Sequence, residues 1–197
     1  MPRDHLAAVV AVRNLLEFSG DDPLREGLRD TPARVVNAWE FWTSGYGVNP
    51  LDLLTTFEDG VCRDELVFQA AIPFFSLCEH HLCPFFGLAH VGYIPGTRVV
   101  GLSKIARVIE VFARRLQVQE RLAGQIADTM MDGRGLSPLG VGVVLQARHL
   151  CMESRGVQKI GTVTTTTALR GNFKERPEVR AEFMTLVGVA MQGIKTI

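Results

Sequence analysis

The chain contains no run of about 18 uncharged apolar residues, the length a bilayer-crossing helix needs, so no membrane span is expected. It also carries no net charge, with 21 Lys+Arg against 21 Asp+Glu. That balance removes any global electrostatic reason to expect nucleic acid or an anionic membrane as partner, and leaves anion binding to local basic clusters. Cysteines number four, Cys62, Cys78, Cys83 and Cys151. They are too few and too irregularly spaced for a disulfide scaffold, which leaves them as thiols or metal ligands. The start, Met1-Pro2-Arg3-Asp4-His5, lacks a basic stretch leading into an apolar core and a small-residue cleavage site, so a soluble, cytoplasmic protein is expected. Internal repeats, low-complexity tracts and long linkers are missing as well.

What is present is material for a packed domain: 197 residues, 47% of them apolar, suffice for a core. From Leu6 to Phe18 the apolar positions Leu6, Val9, Val10 and Leu16 recur at helical spacing and stop at Ser19-Gly20. Asp22-Pro23 and Thr31-Pro32 each set a capping side chain before a proline suited to a first helical turn, and Val35, Val36 and Trp39 continue the second as a helix. Residues 1–50 therefore read as a small helical arm.

Between Leu66 and Leu102 the texture becomes short apolar runs broken by proline and glycine, with a strand over Leu88–Ile94 and a turn at Pro95-Gly96. Ser103 is expected to open one long amphipathic helix with Ile105, Val108, Ile109, Phe112 and Leu116 on one face, running on to Met131 and ended by Gly133, Gly135 and Pro138. Val141–Ala147 and Val163–Ala168 read as strands. A final helix is expected from Pro177 to Met191.

The densest chemical signal is Cys78-Glu79-His80-His81. A thiolate and an imidazole three residues apart at a strand-to-turn boundary can reach one tetrahedral ion. His149-Leu150-Cys151 offers a second soft ligand at a strand end. Three ligands, Cys78, His81 and Cys151, would leave a coordination position for water, the mark of a catalytic rather than a structural zinc. Cys83 stands against that simplicity, because as a fourth ligand it would close the site; its place before Pro84-Phe85-Phe86 also suits a packed thiol. Cys62 and His5 have no partner pattern, and His90 on its strand reads as a buried or hydrogen-bonded imidazole.

Basic residues make a second constellation. Lys104 and Arg107 stand in the first turn of the long helix, whose backbone amides, with Ser103 as cap, offer a phosphate site. Arg155 and Arg34 can add guanidinium forks, although a basic residue on an amphipathic helix is ordinarily a solvated one. Gln119 and Glu120 together can read a guanine edge, and Thr164 to Thr167 reads as a half-exposed strand rather than a hydroxyl relay.

These residues also fit a known pattern. The sequence resembles the GTP cyclohydrolase I family in Asp22–Leu28, Thr31–Val35, Phe75–His81, Gly101–Arg107, Arg115–Leu122, His149–Cys151 and Arg155-Gly156, a set of ordered matches spanning nearly the whole chain. The resemblance implies an α+β T-fold over residues 51–197, an antiparallel sheet with paired helices on one face, and a homodecamer whose active sites are shared between subunits. It implies zinc on Cys78, His81 and Cys151, and His80 as proton donor to the purine of GTP. His149 would be the acid/base group near the ribose and Ser103 would serve its rearrangement. Gln119 and Glu120 would bind guanine, and Lys104, Arg107, Arg155 and Arg34 the triphosphate. Cys83 departs from the apolar residue, usually valine, that the family has there. The implied reaction is hydrolysis of GTP at C8 with release of formate, giving 7,8-dihydroneopterin triphosphate for pterin and folate synthesis. Rival expectations are a non-catalytic, zinc-stabilised nucleotide-binding module and another T-fold pterin or deazapurine enzyme.

Overall fold

The computed structural model describes residues 3–58, 65–132 and 136–192. Cys62, and Gly133 and Gly135 at the expected end of the long helix, lie outside them. Contacts divide the chain into two units, Met1–Ser44 and Gly45–Ile197.

The first unit is a pair of packed helices, α1 (His5–Phe18) and α2 (Thr31–Trp42). The Asp4 carboxylate caps α1 by accepting from the Ala7 N–H at 3.0 Å. Two expectations are corrected here. Asp22-Pro23 opens no helix, because the Asp22 carboxylate instead accepts from the Leu24 N–H at 2.9 Å and the chain runs on in turns. Such local bonds compete directly with the helical ladder. Nor does Thr31 cap α2: it is the first helical residue, and Asp30 occupies the cap position while pairing with Arg34 at 3.3 Å.

In the second unit the strands are β1 (Thr56–Phe57), β2 (Val67–Cys78), β3 (Pro84–Ile94), β4 (Val99–Val100), β5 (Leu116–Gln117), β6 (Gly140–His149) and β7 (Val163–Gly171). Helices α3 (Leu102–Ala113), α4 (Gln119–Met131), α5 (Leu150–Glu153), α6 (Asn172–Glu175) and α7 (Pro177–Gln192) are set among them. β1 pairs with β4, and the main sheet runs β5-β2-β3-β6-β7, antiparallel except for the short parallel join of β5 to β2.

Strand alternation sorts this sheet into two faces. On one, Phe74, Phe85, Ala89, Val91, Tyr93, Val143 and Leu145 are buried against Ile105, Val108, Ile109 and Phe112 of α3 and Leu122, Ile126 and Met130 of α4. These are the paired helices on one face that an α+β T-fold requires. On the other, Ile94 and Val144 pack with Phe173 of α6 and Val179, Phe183 and Val187 of α7.

The single long helix from Ser103 to Met131 is the main correction. Arg114 leaves the helical region at φ −78° and ψ +45°, and Leu116-Gln117 then pairs with Leu77-Cys78. The apolar period alone did not reveal this break, because Leu116 satisfies the helical face and the strand alike. Helix α3 starts at Leu102 with Gly101 as its cap residue, so Ser103 is not the cap.

Candidate active site

Four strand ends converge on the site. β2 delivers Cys78 as its last residue, and the tight link to β3 holds Glu79, His80 and His81. In that link the Cys78 carbonyl accepts from the N–H groups of His81 and Leu82 at 3.3 and 2.8 Å, while the Cys78 N–H donates to the Cys83 carbonyl at 2.8 Å. β6 ends at His149, and Cys151 follows in the single turn α5. That turn is pinned by Glu153, only 8% exposed, whose carboxylate takes a two-pronged bond from Arg148 at 2.8 and 2.6 Å.

The consequence is that ligand atoms of Cys78, His81 and Cys151 lie within 4.8 Å of one another. Bonds of about 2.0 to 2.3 Å to a tetrahedral zinc set its ligand atoms roughly 3.3 to 3.8 Å apart, so the three donors need only a small contraction to share one ion. Electrostatics favour the same occupant. Burial first, and then the neighbouring Cys78 and Cys83, push the Cys151 thiol above its ordinary range. A dication reverses that penalty by making thiolates the favoured form. The residues present therefore fit a zinc ion.

Around this trio stand groups able to handle protons. His80 is exposed, with its Nδ1 3.9 Å from the Cys78 sulfur and its Nε2 4.0 Å from Glu79. His149 lies with its ring stacked on buried Phe85, centroids 4.7 Å apart and planes 2° from parallel. Its Nε2–H donates to the Gln119 side-chain oxygen at 2.7 Å. Burial lowers the His149 pKa, opposed in part by the charge of Glu120. The neutral ring thus has its proton held on Nε2 and Nδ1 left as a base.

Gln119 was expected on a guanine edge, yet it is 2% exposed. Its amide nitrogen donates to the carbonyls of Leu145 and Thr164 and to the Thr166 hydroxyl, at 3.1, 2.9 and 3.2 Å. Glu120, next to it at the start of α4, is exposed. Among the basic candidates, Arg155 reaches the site directly by donating to His81 Nε2 at 3.1 Å. Ser103, Lys104 and Arg107 stand on the first turns of α3, Ser103 and Arg107 exposed and Lys104 half-buried. Arg34 belongs to the first unit, where it pairs with Asp30.

Two contributors escaped the sequence reading. Arg121 forms an ion pair with Glu79 and also donates to Gln117 at 3.1 Å, tying the His80-His81 link to β5 and α4. That pair holds the Glu79 carboxyl below its ordinary pKa. Phe85 supports His149, its pairing partner across β3 and β6, and no local signal in the sequence announces that pairing.

The family model described as GTP cyclohydrolase I matches residues 8–188. The GTP cyclohydrolase 1 of Campylobacter lari is 52% identical over 182 residues, which cover 92% of this chain and 95% of that protein. That of Wolinella succinogenes is 52% identical over 180 residues, or 91% and 95% of the two chains. The Synechococcus protein of the same name is 54% identical over 183 residues, or 92% and 78%. Among solved structures, the archaeosine synthase QueF-Like in the apo form overlays 56% of this chain and 97% of its own, at a TM-score of 0.46 and 18% identity. With a family match that spans most of its length and relatives identical at every second residue, the chain belongs to the GTP cyclohydrolase I family.

Proposed function

We propose that this protein hydrolyses GTP at C8 of guanine, releases that carbon as formate and forms 7,8-dihydroneopterin triphosphate, the first step of pterin and folate biosynthesis. The observation that carries the reading is the meeting of Cys78, His81 and Cys151 within 4.8 Å in a member of this family. A zinc ion on these three residues supplies Lewis-acid activation of water near neutral pH.

The chain's own residues do the rest. His80, exposed beside the trio, donates a proton to N7 of the purine, which makes C8 electrophilic. Glu120 accepts from the guanine N1–H and 2-amino group. Adenine lacks both donors and would leave that carboxylate desolvated and unpaired, so ATP is rejected. Gln119 acts by holding His149, since both ends of its amide already have partners. His149 Nδ1 then moves protons at the ribose during its rearrangement, alongside Ser103. Lys104, Arg107, Arg155 and Arg34 bind the triphosphate, with the amides at the start of α3 adding dipolar attraction.

The working form is a homo-oligomer, a decamer with shared sites. What supports assembly is exposed apolar surface: Leu6, Leu15 and Phe18 of α1 are 75%, 64% and 90% exposed, and Phe75 on the main sheet is 55% exposed. A cytoplasmic location suits this chemistry, and no described helix is long and apolar enough to cross a membrane.

Zinc analysis coupled to a GTP-dependent formate assay tests the proposal. One zinc per chain and stoichiometric formate are expected. His80→Ala should keep the zinc and lose formate release by about 10²-fold or more. Chelated protein should stay folded while losing activity, whereas unfolding on chelation would favour the zinc-stabilised binding module.

A further inference from the structure

A continuous chain of polar contacts runs from the end of α3 to the link that carries His80 and His81. Gln117 begins it. The residue is 1% exposed, and its amide nitrogen donates to the Phe112 carbonyl at 2.9 Å and to the Gln125 side-chain oxygen at 2.8 Å. Both of its donor hydrogens are thereby used, which fixes the direction of its amide oxygen. That oxygen accepts from Arg121 Nε at 3.1 Å. The Gln117 carbonyl accepts from the Glu79 N–H at 3.0 Å.

The rest of the Arg121 guanidinium turns to the same link. Nη1 donates to Glu79 Oε1 at 3.3 Å, and Nη2 donates both to Glu79 Oε2 and to the Leu116 carbonyl, the latter at 3.1 Å. Glu79 is thus held twice, at its main chain by β5 and at its carboxylate by Arg121 of α4, which is itself bonded to β5. Its Oε1 also lies 4.0 Å from His80 Nε2, so the atom that Arg121 holds is the one that faces the His80 ring. A planar guanidinium can serve Glu79, Gln117 and Leu116 at once; an ammonium, a single point charge, cannot. The Arg121 and Glu79 side chains are 44% and 32% exposed. A pair so open to solvent adds little to stability, and its main effect is on where the link sits.

We infer that Arg121 is a positioning residue for the proposed reaction: through Glu79 it sets the direction of His80 and the place of His81 in the metal trio. The inference rests on the zinc and GTP reading above. Buried Gln117 anchors Arg121 in turn, so the geometry of the link is referred back to the break between α3 and α4 rather than left to a surface turn. Partners that orient ligands from behind in this way are worth about 10- to 100-fold in metal affinity or activity.

Arg121→Met tests this in the full, zinc-loaded protein. Expected are a kcat lower by about 10- to 100-fold, a KM for GTP within about twofold of the wild type, and zinc lost to about tenfold less competing chelator. The amides of Glu79, His81 and Leu82, all hydrogen-bonded in the link, should exchange with deuterium about tenfold faster or more while β6 stays protected. Glu79→Ala should reproduce these changes, and Glu79→Gln, which leaves one acceptor oxygen for the fork, should lose less. Because both substitutions cut one connection, the Arg121→Met/Glu79→Ala double variant should be no more than about twofold worse than either single one. Additive losses overturn the inference, as does a wild-type kcat in Arg121→Lys, which keeps the charge without the fork. A raised KM at unchanged kcat would place Arg121 on the substrate or behind its neighbour Glu120, and a lowered Tm at unchanged kcat would make the pair merely structural; either result overturns it too. If the wild type releases no formate, the GTP reading fails on its own. Amide exchange in the link needs neither zinc nor substrate, and an unchanged rate in Arg121→Met then rejects the positioning role separately.

Discussion

Single residues at this site work by having their options removed. His149 has its ring clamped by Phe85 beneath and by Gln119 at Nε2, and Gln119 is in turn saturated by β6 and β7. A neutral imidazole with one nitrogen tied down presents the other in a fixed direction, which is what proton transfer requires. Glu120 differs from its neighbour in being exposed and uncommitted to strand carbonyls. Replacing it with Gln should therefore lower kcat/KM for GTP by about 10- to 100-fold, the worth of a charge-assisted hydrogen bond of roughly 1.5 to 3 kcal/mol. Zinc content should not change, and steady-state kinetics with unaltered GTP use would show that guanine is read elsewhere. Cys78, His81 and Cys151 were legible from the sequence because thiols and imidazoles at such spacing have few other uses. The Glu79–Arg121 pair was not, since its members are 42 residues apart and each is an ordinary surface residue until the fold joins them.

Elements position the site through close backbone approach. Gly87 of β3 pairs with Ala147 of β6, and a Cβ added there would lie 1.8 Å from the Gln146 carbonyl oxygen. The obstacle is main chain, so no rotamer change relieves it. Gly87→Ala should cost about 1 to 3 kcal/mol in urea unfolding and lower zinc affinity as well, because the strain falls two residues from Phe85 and His149. Wild-type stability in that variant would show that β3 and β6 can part without consequence. Element type was readable where apolar spacing or β-branched composition was unambiguous: α1, β6, β7 and α7 occur where the sequence sets them, and β3 begins four residues before the expected Leu88. The break between α3 and α4 was not, although it has the larger consequence. Two residues of strand at Leu116-Gln117 dock beside Leu77-Cys78, and the helix that follows brings Gln119 and Glu120 to His149. No local propensity encodes that docking, since its partner strand lies some forty residues earlier.

Across the whole molecule, the two faces of the main sheet are stabilised differently. The α3–α4 face is a continuous apolar core. The opposite face buries His90, fully inaccessible, with Phe68 stacked at 6.4 Å and Nδ1 accepting from the Ala71 N–H at 3.4 Å. Ala71 holds φ +55° inside a bulge of β2, so the imidazole also serves an irregular strand. Desolvation depresses the His90 pKa below its ordinary 6.5. The unfolded chain therefore binds this proton more readily than the folded one. The neutral ring's contribution is complete above pH 6.5 and is lost as pH falls from there toward the depressed folded value, at up to about 1.4 kcal/mol per pH unit. Urea unfolding at pH 7.5 and 5.5 should show this loss, and His90→Gln should remove most of the difference. An equal pH dependence in that variant would assign the effect to other groups.

Chemistry and periodicity were fixed locally: which residues can ligate a soft metal, which stretches are helical or extended, and which proton-bearing groups lie beside the ligands in the chain. Those properties belong to side-chain type and spacing, and survive without knowledge of the fold. Tertiary structure alone decided that Gln119 holds a histidine and that Arg121 ties down Glu79. Each depends on strand register between distant segments, where a shift of one residue turns a side chain to the opposite face.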